Sequence, residues 1–491
     1  MTLATASVTP TPATFANTGP KVVLIGAGSA FFGRQTIWSM VSKPALSGGC
    51  LSLADTDETK LAWTRAIATR AIEAARVPLR LQTSTDYREL LDGADFVILA
   101  FAVNGVELRG IDAEISTRHG MTMCSADTIG PGGIMRTLRE VPRQTAILNE
   151  VRVRCPRAWV INWVNPTAAM GIAMMRHHPD LKTLAICDGP HNPRFNDNLI
   201  VNAGLATKPA DITDALRSRV LIRSGGVNHF NWLIEMRHNG EDVTPRIFEN
   251  LKKSSQAEHI ATSEDTKKDL ANQIAWQLAN AFGYAPMCVW HTQEYLPYFQ
   301  SHDIDKIHAL AIRQWRVELR RQWMQECADD MRALADGARP IADFLQKTAS
   351  DHASDIIEAM WAGLPKTFYI NTSNRGAVSN MPADAYLELP CVVNMNAVQP
   401  LPFGEIPRPI SGYIHRVLDE HELAVEAAVT HDRRVLRQAF LASMVSVSIP
   451  DVDNCIDELL AAQRDYLPKE WYPRADVPRA SESSNRVLAH V

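Results

Sequence analysis

The chain has 491 residues, 46% of them hydrophobic, which is material for a large buried core and an enzyme-sized globular protein of roughly two to four domains. Its 50 basic and 55 acidic side chains leave a net charge of −5 with both signs mixed along the chain, so there is no electrostatic footprint for a polyanion and nucleic acid is not an expected partner. No run approaches the roughly 18 apolar residues of a spanning helix, and the eight cysteines form no C-x-x-C pair. A membrane span, a disulfide scaffold and a zinc ribbon are therefore not expected, and a reducing cytoplasm fits.

Residues 1–20 read as a flexible lead-in, with neither a basic start nor an apolar run. From Lys21, "KVVLIG" is a short apolar strand that ends in "GAGSAFFG" and is followed by a helix from Arg34 to Val41. Gly26 and Gly28 let the backbone turn tightly beside Ser29 and approach a pyrophosphate, whose charge the helix N-terminus stabilises. Gly33 comes two residues later than the G-x-G-x-x-G spacing would place it. A second strand, "CLSLADTD", ends in Asp55, 27 residues after Gly28, where an acid binds the adenosine ribose hydroxyls and repels a 2′-phosphate. NAD is favoured over NADP on that ground.

A third strand, "ADFVILAFAV", leads to Asn104; a fourth, "AWVINWVNPT", to Asn165; a fifth, "TLAICDG", to Cys187 and Asp188. Ligands in open α/β sheets sit beyond the carboxyl ends of the strands, so these side chains should border a cofactor. They can equally be polar residues that satisfy loop backbone in ordinary βα turns. Further on, "RVLIRSGGVNHFNWLIEMRHNG" reads as strand, Gly-rich turn, strand and a hairpin tip at Asn239 and Gly240. Helices are expected over 266–282, 303–335, 412–430, 431–444 and 452–466, and a β-like region over 368–394. The expected fold is α/β: a Rossmann-type doubly wound parallel sheet domain at 21–190, then a mixed, mostly helical α+β substrate and oligomerisation domain at 191–475, with a loose tail at 476–491.

Six segments in order, "GAGSAFFG", "SADTIGPGGIMRTLREVP", "NWVNPTAAMG", "GVNHFNW", "EYLPYF" and "NRGAVSNMPADAYLELP", together resemble the NAD- and metal-dependent glycoside hydrolases of family 4 over about Lys21 to Tyr466. The resemblance implies that bound NAD oxidises the C3 hydroxyl of a sugar, that a base then removes the acidified C2 proton, and that the glycosidic oxygen leaves C1 by elimination before water adds and the hydride returns. This route is an exception to the two-carboxylate mechanism, so the lack of an evident carboxylate pair does not count against it. It also implies a divalent metal, often manganese, held by Cys187 and His229. Asn165 and Asn228 are candidates to hold sugar hydroxyls, since an amide donates and accepts at once. Asn165 is also readable as the closure of a turn before Pro166. Asp127 is either a proton or hydroxyl acceptor or the cap of a helix beginning near Gly133. Tyr295 and Tyr298 are candidates for the C2 base, or members of a buried aromatic face.

The chain departs from the family pattern at "CDGPH", where Asp188 follows the cysteine, and at Val289, where members acting on α-glycosides often carry an acid. His291 is then the candidate proton donor to the leaving group. These departures are similar to those of the related NAD-dependent sulfoquinovosidases. Such a substrate carries a sulfonate and asks for cationic or backbone donors, for which Arg136, with Arg109, Arg139, His191 and Arg375, is a candidate; a uronic-acid glycoside asks for the same chemistry. The expected partner is thus a small anionic α-glycoside, in a homo-oligomer, dimer or tetramer, as is common for such enzymes. The rival is a sugar or hydroxy-acid dehydrogenase that releases NADH, with His229 or Tyr295 as proton acceptor.

Overall fold

The computed structural model describes residues 19–29, 32–121, 127–187, 193–255, 265–299, 316–446 and 448–472. Most of the expected lead-in, the expected tail, the first part of the helix expected from 303, and both Asp188 and His191 lie outside them.

The first half alternates strands and helices: β1 (Lys21–Ile25), α1 (Phe32–Ser42), β2 (Cys50–Ala54), α2 (Glu58–Ala75), β3 (Arg80–Ser84), β4 (Phe96–Leu99), α3 (Gly105–Arg118), α4 (Gly130–Arg154), β5 (Trp159–Asn162), α5 (Thr167–His177) and β6 (Lys182–Ala185). The six strands pair in parallel in the order β3-β2-β1-β4-β5-β6, the order of dinucleotide-binding folds. The inner strands are almost wholly buried and mostly apolar because helices cover both faces of the sheet. Val22 and Leu24 of β1 join one core with Ile98, Ile161 and Leu184, while Val23 and Ile25 join the other with Val97, Leu99 and Val160.

The second half runs through α6 (Pro193–Asn202), α7 (Asp214–Arg217), β7 (Val220–Val227), β8 (Phe230–His238), β9 (Glu241–Asp242), α8 (Thr244–Ser255), α9 (Asp265–Phe282), β10 (Ala285–Pro286) and α10 (Val289–Tyr295). It continues with α11 (Val317–Asp336), α12 (Ile341–Lys347), α13 (His352–Ala362), β11 (Thr367–Ser373), β12 (Tyr386–Val393), β13 (Val398–Pro400), α14 (Arg408–Thr430), α15 (Arg433–Ala442) and α16 (Ile449–Ala462). Its strands extend the first sheet. Asn371 of β11 pairs antiparallel with Ala185 of β6, and the order then continues β12, β7, β8, β10.

The expected Gly-rich turn is placed differently. Gly225 and Gly226 lie inside β7, and the reversal into β8 falls at Asn228 and His229. A side chain at Gly225 would meet the Phe403 ring at 2.6 Å, so this glycine serves packing rather than turning. The consequence for function is direct: the tight reversal carries the two residues the sequence nominated for substrate and metal.

Candidate active site

The carboxyl ends of β1, β2 and β4 open into a cavity of about 890 Å³, lined among others by Gly26, Gly28, Ser29, Asp55, Asn104 and Arg109. Gly26 has φ +95°, and a Cβ there would lie 2.4 Å from the Ala100 carbonyl oxygen, so only glycine fits. At Gly28 a Cβ would come within 2.8 Å of both Asp55 Oδ2 and Lys60 Cβ. The Gly28 N–H donates to Asp55 Oδ2 at 2.7 Å and the Asp57 N–H to Asp55 Oδ1 at 2.9 Å. Asp55 thus braces the loop as well as lining the cavity. Ser29 Oγ accepts from the Phe32 N–H at the start of α1. Gly33 does the work of the displaced third glycine: a Cβ would lie 2.3 Å from the Ala27 carbonyl, so its absence lets α1 close on the strand. Asn104 stands at the head of α3 in the left-handed region, φ 42°, and its amide donates to Tyr466 Oη at 3.2 Å. This cradle fits a dinucleotide such as NAD.

At the inner end of the cavity Asp127 is 4% exposed, yet both Arg109 and Arg136 reach its Oδ2, at 3.1 and 3.0 Å. The Asn165 amide donates to the same oxygen at 3.3 Å, and Asn165 Oδ1 accepts from the Thr167 hydroxyl at 2.8 Å. Oδ1 of Asp127 has no hydrogen-bond partner. Burial works to raise this carboxyl, but Arg109 and Arg136 outweigh it and hold it below the usual range. Burial in turn pushes the Arg109 guanidinium down to about 10. Asp127 is not a helix cap: α4 begins at Gly130 with Ile129 in the cap position, and the Gly130 N–H donates to the buried Glu420 at 2.6 Å.

Beside this cluster Cys187 Sγ lies 3.1 Å from His229 Nε2. Burial, reinforced by His291, holds His229 down to about 3, so the imidazole is neutral and able to offer a lone pair; its Nδ1 has no partner. A buried thiol and a neutral imidazole at this spacing suit a divalent ion. Asn228 donates to Glu388 Oε1 at 3.1 Å, leaving its own Oδ1 unpartnered. The His291 ring stacks on His229 at a centroid distance of 4.0 Å and 11° between planes.

Other nominated residues stand elsewhere. Tyr295 is fully buried, and its hydroxyl donates to the Asn228 carbonyl at 3.1 Å, while burial pushes the phenol well above its ordinary value. Tyr298 is 56% exposed and bonded to Tyr413. Arg139 is spent on Asp112, at 2.8 Å in the core between α3 and α4, and Arg375 is exposed on a turn outside the cavity lining.

Three participants went unnamed in the sequence. Glu388 accepts amides from Asn228, Asn231 and Asn371, at 3.1, 3.0 and 3.3 Å. Its signal was a lone acid inside the apolar strand "AYLELP". Arg320 of α11 lines the cavity. Cys288, three residues before His291, was visible as a C-x-x-H spacing.

Two family models match the chain: the family 4 glycosyl hydrolase at residues 21–194 and the family 4 glycosyl hydrolase C-terminal domain at residues 224–445. The chain belongs to glycosyl hydrolase family 4. It is similar to an α-galactosidase of Bacillus subtilis, 27% identical over 91% of this chain and 99% of that protein. An α-galacturonidase of the same species is 25% identical over 90% of this chain and 96% of that protein. A solved 6-phospho-α-glucosidase from gut microorganisms, in complex with NAD and Mn2+, shares the fold with a TM-score of 0.75 at 20% identity, covering 92% of this chain and 99% of that one. The family 4 enzyme is an NAD-dependent glycosidase whose Rossmann half carries the loop and acid suited to its cofactor. No described helix of the hydrolase is long and apolar enough to cross a membrane.

Proposed function

We propose that this family 4 hydrolase cleaves an anionic α-glycoside, such as a sulfoquinovoside or a uronic-acid glycoside, by transient oxidation at C3, elimination across C1 and C2, and addition of water. The observation that supports the anionic reading is that three arginines, Arg109, Arg136 and Arg320, line the cavity, the first two largely buried and meeting at Asp127 Oδ2. Guanidiniums in a partly dry cavity offer the paired donors that a sulfonate or carboxylate on the sugar accepts.

When bound, NAD supplies the acceptor and later donor of the C3 hydride, and a divalent ion at Cys187 and His229 supplies polarisation of the C3 oxygen. The chain's own groups do the rest. Asp127 Oδ1, ionised and without a partner, accepts the hydrogen of a sugar hydroxyl. Asn165 and the unpartnered Oδ1 of Asn228 orient neighbouring hydroxyls. His291 donates a proton to the departing glycosidic oxygen. For the C2 proton the candidate is Tyr295, whose hydroxyl lies against the carbonyl of Asn228; in the state described here it carries its proton, and it has to lose that proton before it takes another. We place the enzyme in the cytoplasm, in keeping with seven described cysteines of which none forms a disulfide.

The test is release of p-nitrophenol from α- and β-linked galactoside, glucuronide, galacturonide and sulfoquinovoside, with and without NAD and manganese, with absorbance at 340 nm followed in parallel. NAD-dependent release from an anionic α-glycoside with no net NADH is expected. Cleavage of the neutral galactoside alone would remove the anionic reading, and NADH accumulating on a free sugar without cleavage would make the enzyme a dehydrogenase.

A further inference from the structure

Four residues stand in one row across the strands of the second half. Asn371 of β11 faces Glu388 of β12, Glu388 faces Gly226 of β7, and Gly226 faces Asn231 of β8. Directly opposed residues share a face of the sheet, and the three side chains of this row are all buried. β8 and β12 flank β7 and so lie roughly 10 Å apart. Because Gly226 carries no side chain, the Asn231 amide reaches over it to Glu388 Oε2 at 3.0 Å. Asn371 donates to Oε1 from the other side at 3.3 Å, and Asn228, at the reversal two residues beyond Gly226, donates to the same Oε1 at 3.1 Å.

All three asparagines give their nitrogen to Glu388, and all three leave a buried Oδ1 without a partner. Burial pushes the Glu388 carboxyl up, and the amides pull it back toward the charged form. A carboxylate has no hydrogen to give, so an amide against it turns its nitrogen inward and its oxygen away. The backbone of Asn228 is held as well, since its carbonyl accepts the Tyr295 hydroxyl at 3.1 Å. Asn228 is thus pinned at both ends, next to His229, whose Nε2 lies 3.1 Å from Cys187 of the cavity lining.

We propose that Glu388 is a positioning residue of this glycosidase: by taking the Asn228 amide it fixes Asn228 Oδ1 as the acceptor for one hydroxyl of the sugar, without touching the sugar itself. The proposal rests on the reading that Asn228 orients a substrate hydroxyl. Glutamine at 388 offers a hydrogen of its own, which lets the Asn228 amide turn over and present N–H groups where the hydroxyl needs an acceptor. A bond from a hydroxyl that does not react is the same in the ground and transition states, so its loss falls on KM rather than kcat.

The experiment measures kcat and KM of the full-length enzyme on p-nitrophenyl α-galacturonide, α-sulfoquinovoside and α-galactoside, with NAD and manganese present. Wild type, Glu388→Gln, Asn228→Ala and the double variant are compared, with NAD affinity and the urea midpoint read beside them. The coupling is taken on whichever glycoside is cleaved, so it stands or falls independently of the charge on the sugar. Glu388→Gln should raise KM roughly tenfold, with kcat within about threefold and NAD affinity unchanged. In the Asn228→Ala background the same change should add no more than about twofold. Equal losses with and without Asn228 would overturn the proposal, as would wild-type kinetics joined to a lower urea midpoint, the signature of a brace and nothing more. Asn228→Ala with the wild-type KM would remove the reading of Asn228 and the proposal with it. The same cycle with Glu388→Asp, whose carboxyl stands one methylene back from Asn228, gives a second reading of the coupling should Glu388→Gln not hold NAD.

Discussion

At Asp127 one carboxylate gathers two arginines and an amide on a single oxygen and leaves the other bare. Buried Glu140 and Glu420 also leave one oxygen unpartnered, at a cost of about 1–3 kcal/mol each. What sets Asp127 apart is that it lines the cavity, where a sugar hydroxyl can meet the bare oxygen. Asp127→Asn keeps the shape and removes the charge. Turnover should fall by about 100-fold or more, while NAD affinity, read by fluorescence titration, stays within a few-fold. Wild-type kcat in this variant would confine Asp127 to holding the arginines. The sequence exposed Asp127 only as a carboxylate among glycines, with cap and acceptor equally open. What decided between them was the start of α4 at Gly130 and the arrival of Arg109 from α3, which no local pattern carries. Cys187 and His229 show the same limit: 42 residues apart, they meet only because β11 and β12, far later in the chain, join β6 to β7 in one sheet.

Elements were legible where burial imposes a period. β1, β4 and β5 are short apolar runs, broken only by Lys21 and Asn162 at their ends, and stood out as strands, and α9 and α14 showed helical spacing. β3, "RLQTS", escaped because it is the edge strand, polar and partly exposed, and nothing in its alternation differs from a loop. Close approach between elements was equally hidden. Gly171 on α5 sits in the family-like segment "NWVNPTAAMG", but its reason is Tyr386 on β12, whose ring atoms would stand 2.1 to 2.5 Å from a Cβ at that position. The ring is buried against helix and sheet, so it cannot swing away without disturbing the core. Gly171→Ala should therefore cost about 1–3 kcal/mol by overpacking, despite the better helix propensity of alanine. Urea unfolding measures this directly. An unchanged or raised midpoint would show that Tyr386 has room to move.

Over the whole molecule, the halves that the sequence divides near residue 190 share one sheet, and the second half closes the active site rather than merely flanking it. Glu420 is one seam between them: from α14 it takes the Gly130 N–H at the head of α4, the helix that also carries Arg136. Burial pushes this carboxyl up to about 8, although the hydrogen bond from Gly130 pulls the other way, with Arg416 and Glu294 the nearest charges. The folded enzyme thus holds a proton on Glu420 that the unfolded chain, near the ordinary carboxyl value of 4.5, has already released. Between those two values the folded state binds more protons than the unfolded one, so this group makes wild-type stability fall as pH rises. Glu420→Gln retains an acceptor for Gly130 and has no proton to lose. Its stability relative to wild type should accordingly climb between pH 4.5 and about 8 and level off above, as read from denaturant midpoints at each pH. Parallel curves for the two proteins would mean that Glu420 ionises freely and that the joint between the halves is wetter than its burial implies.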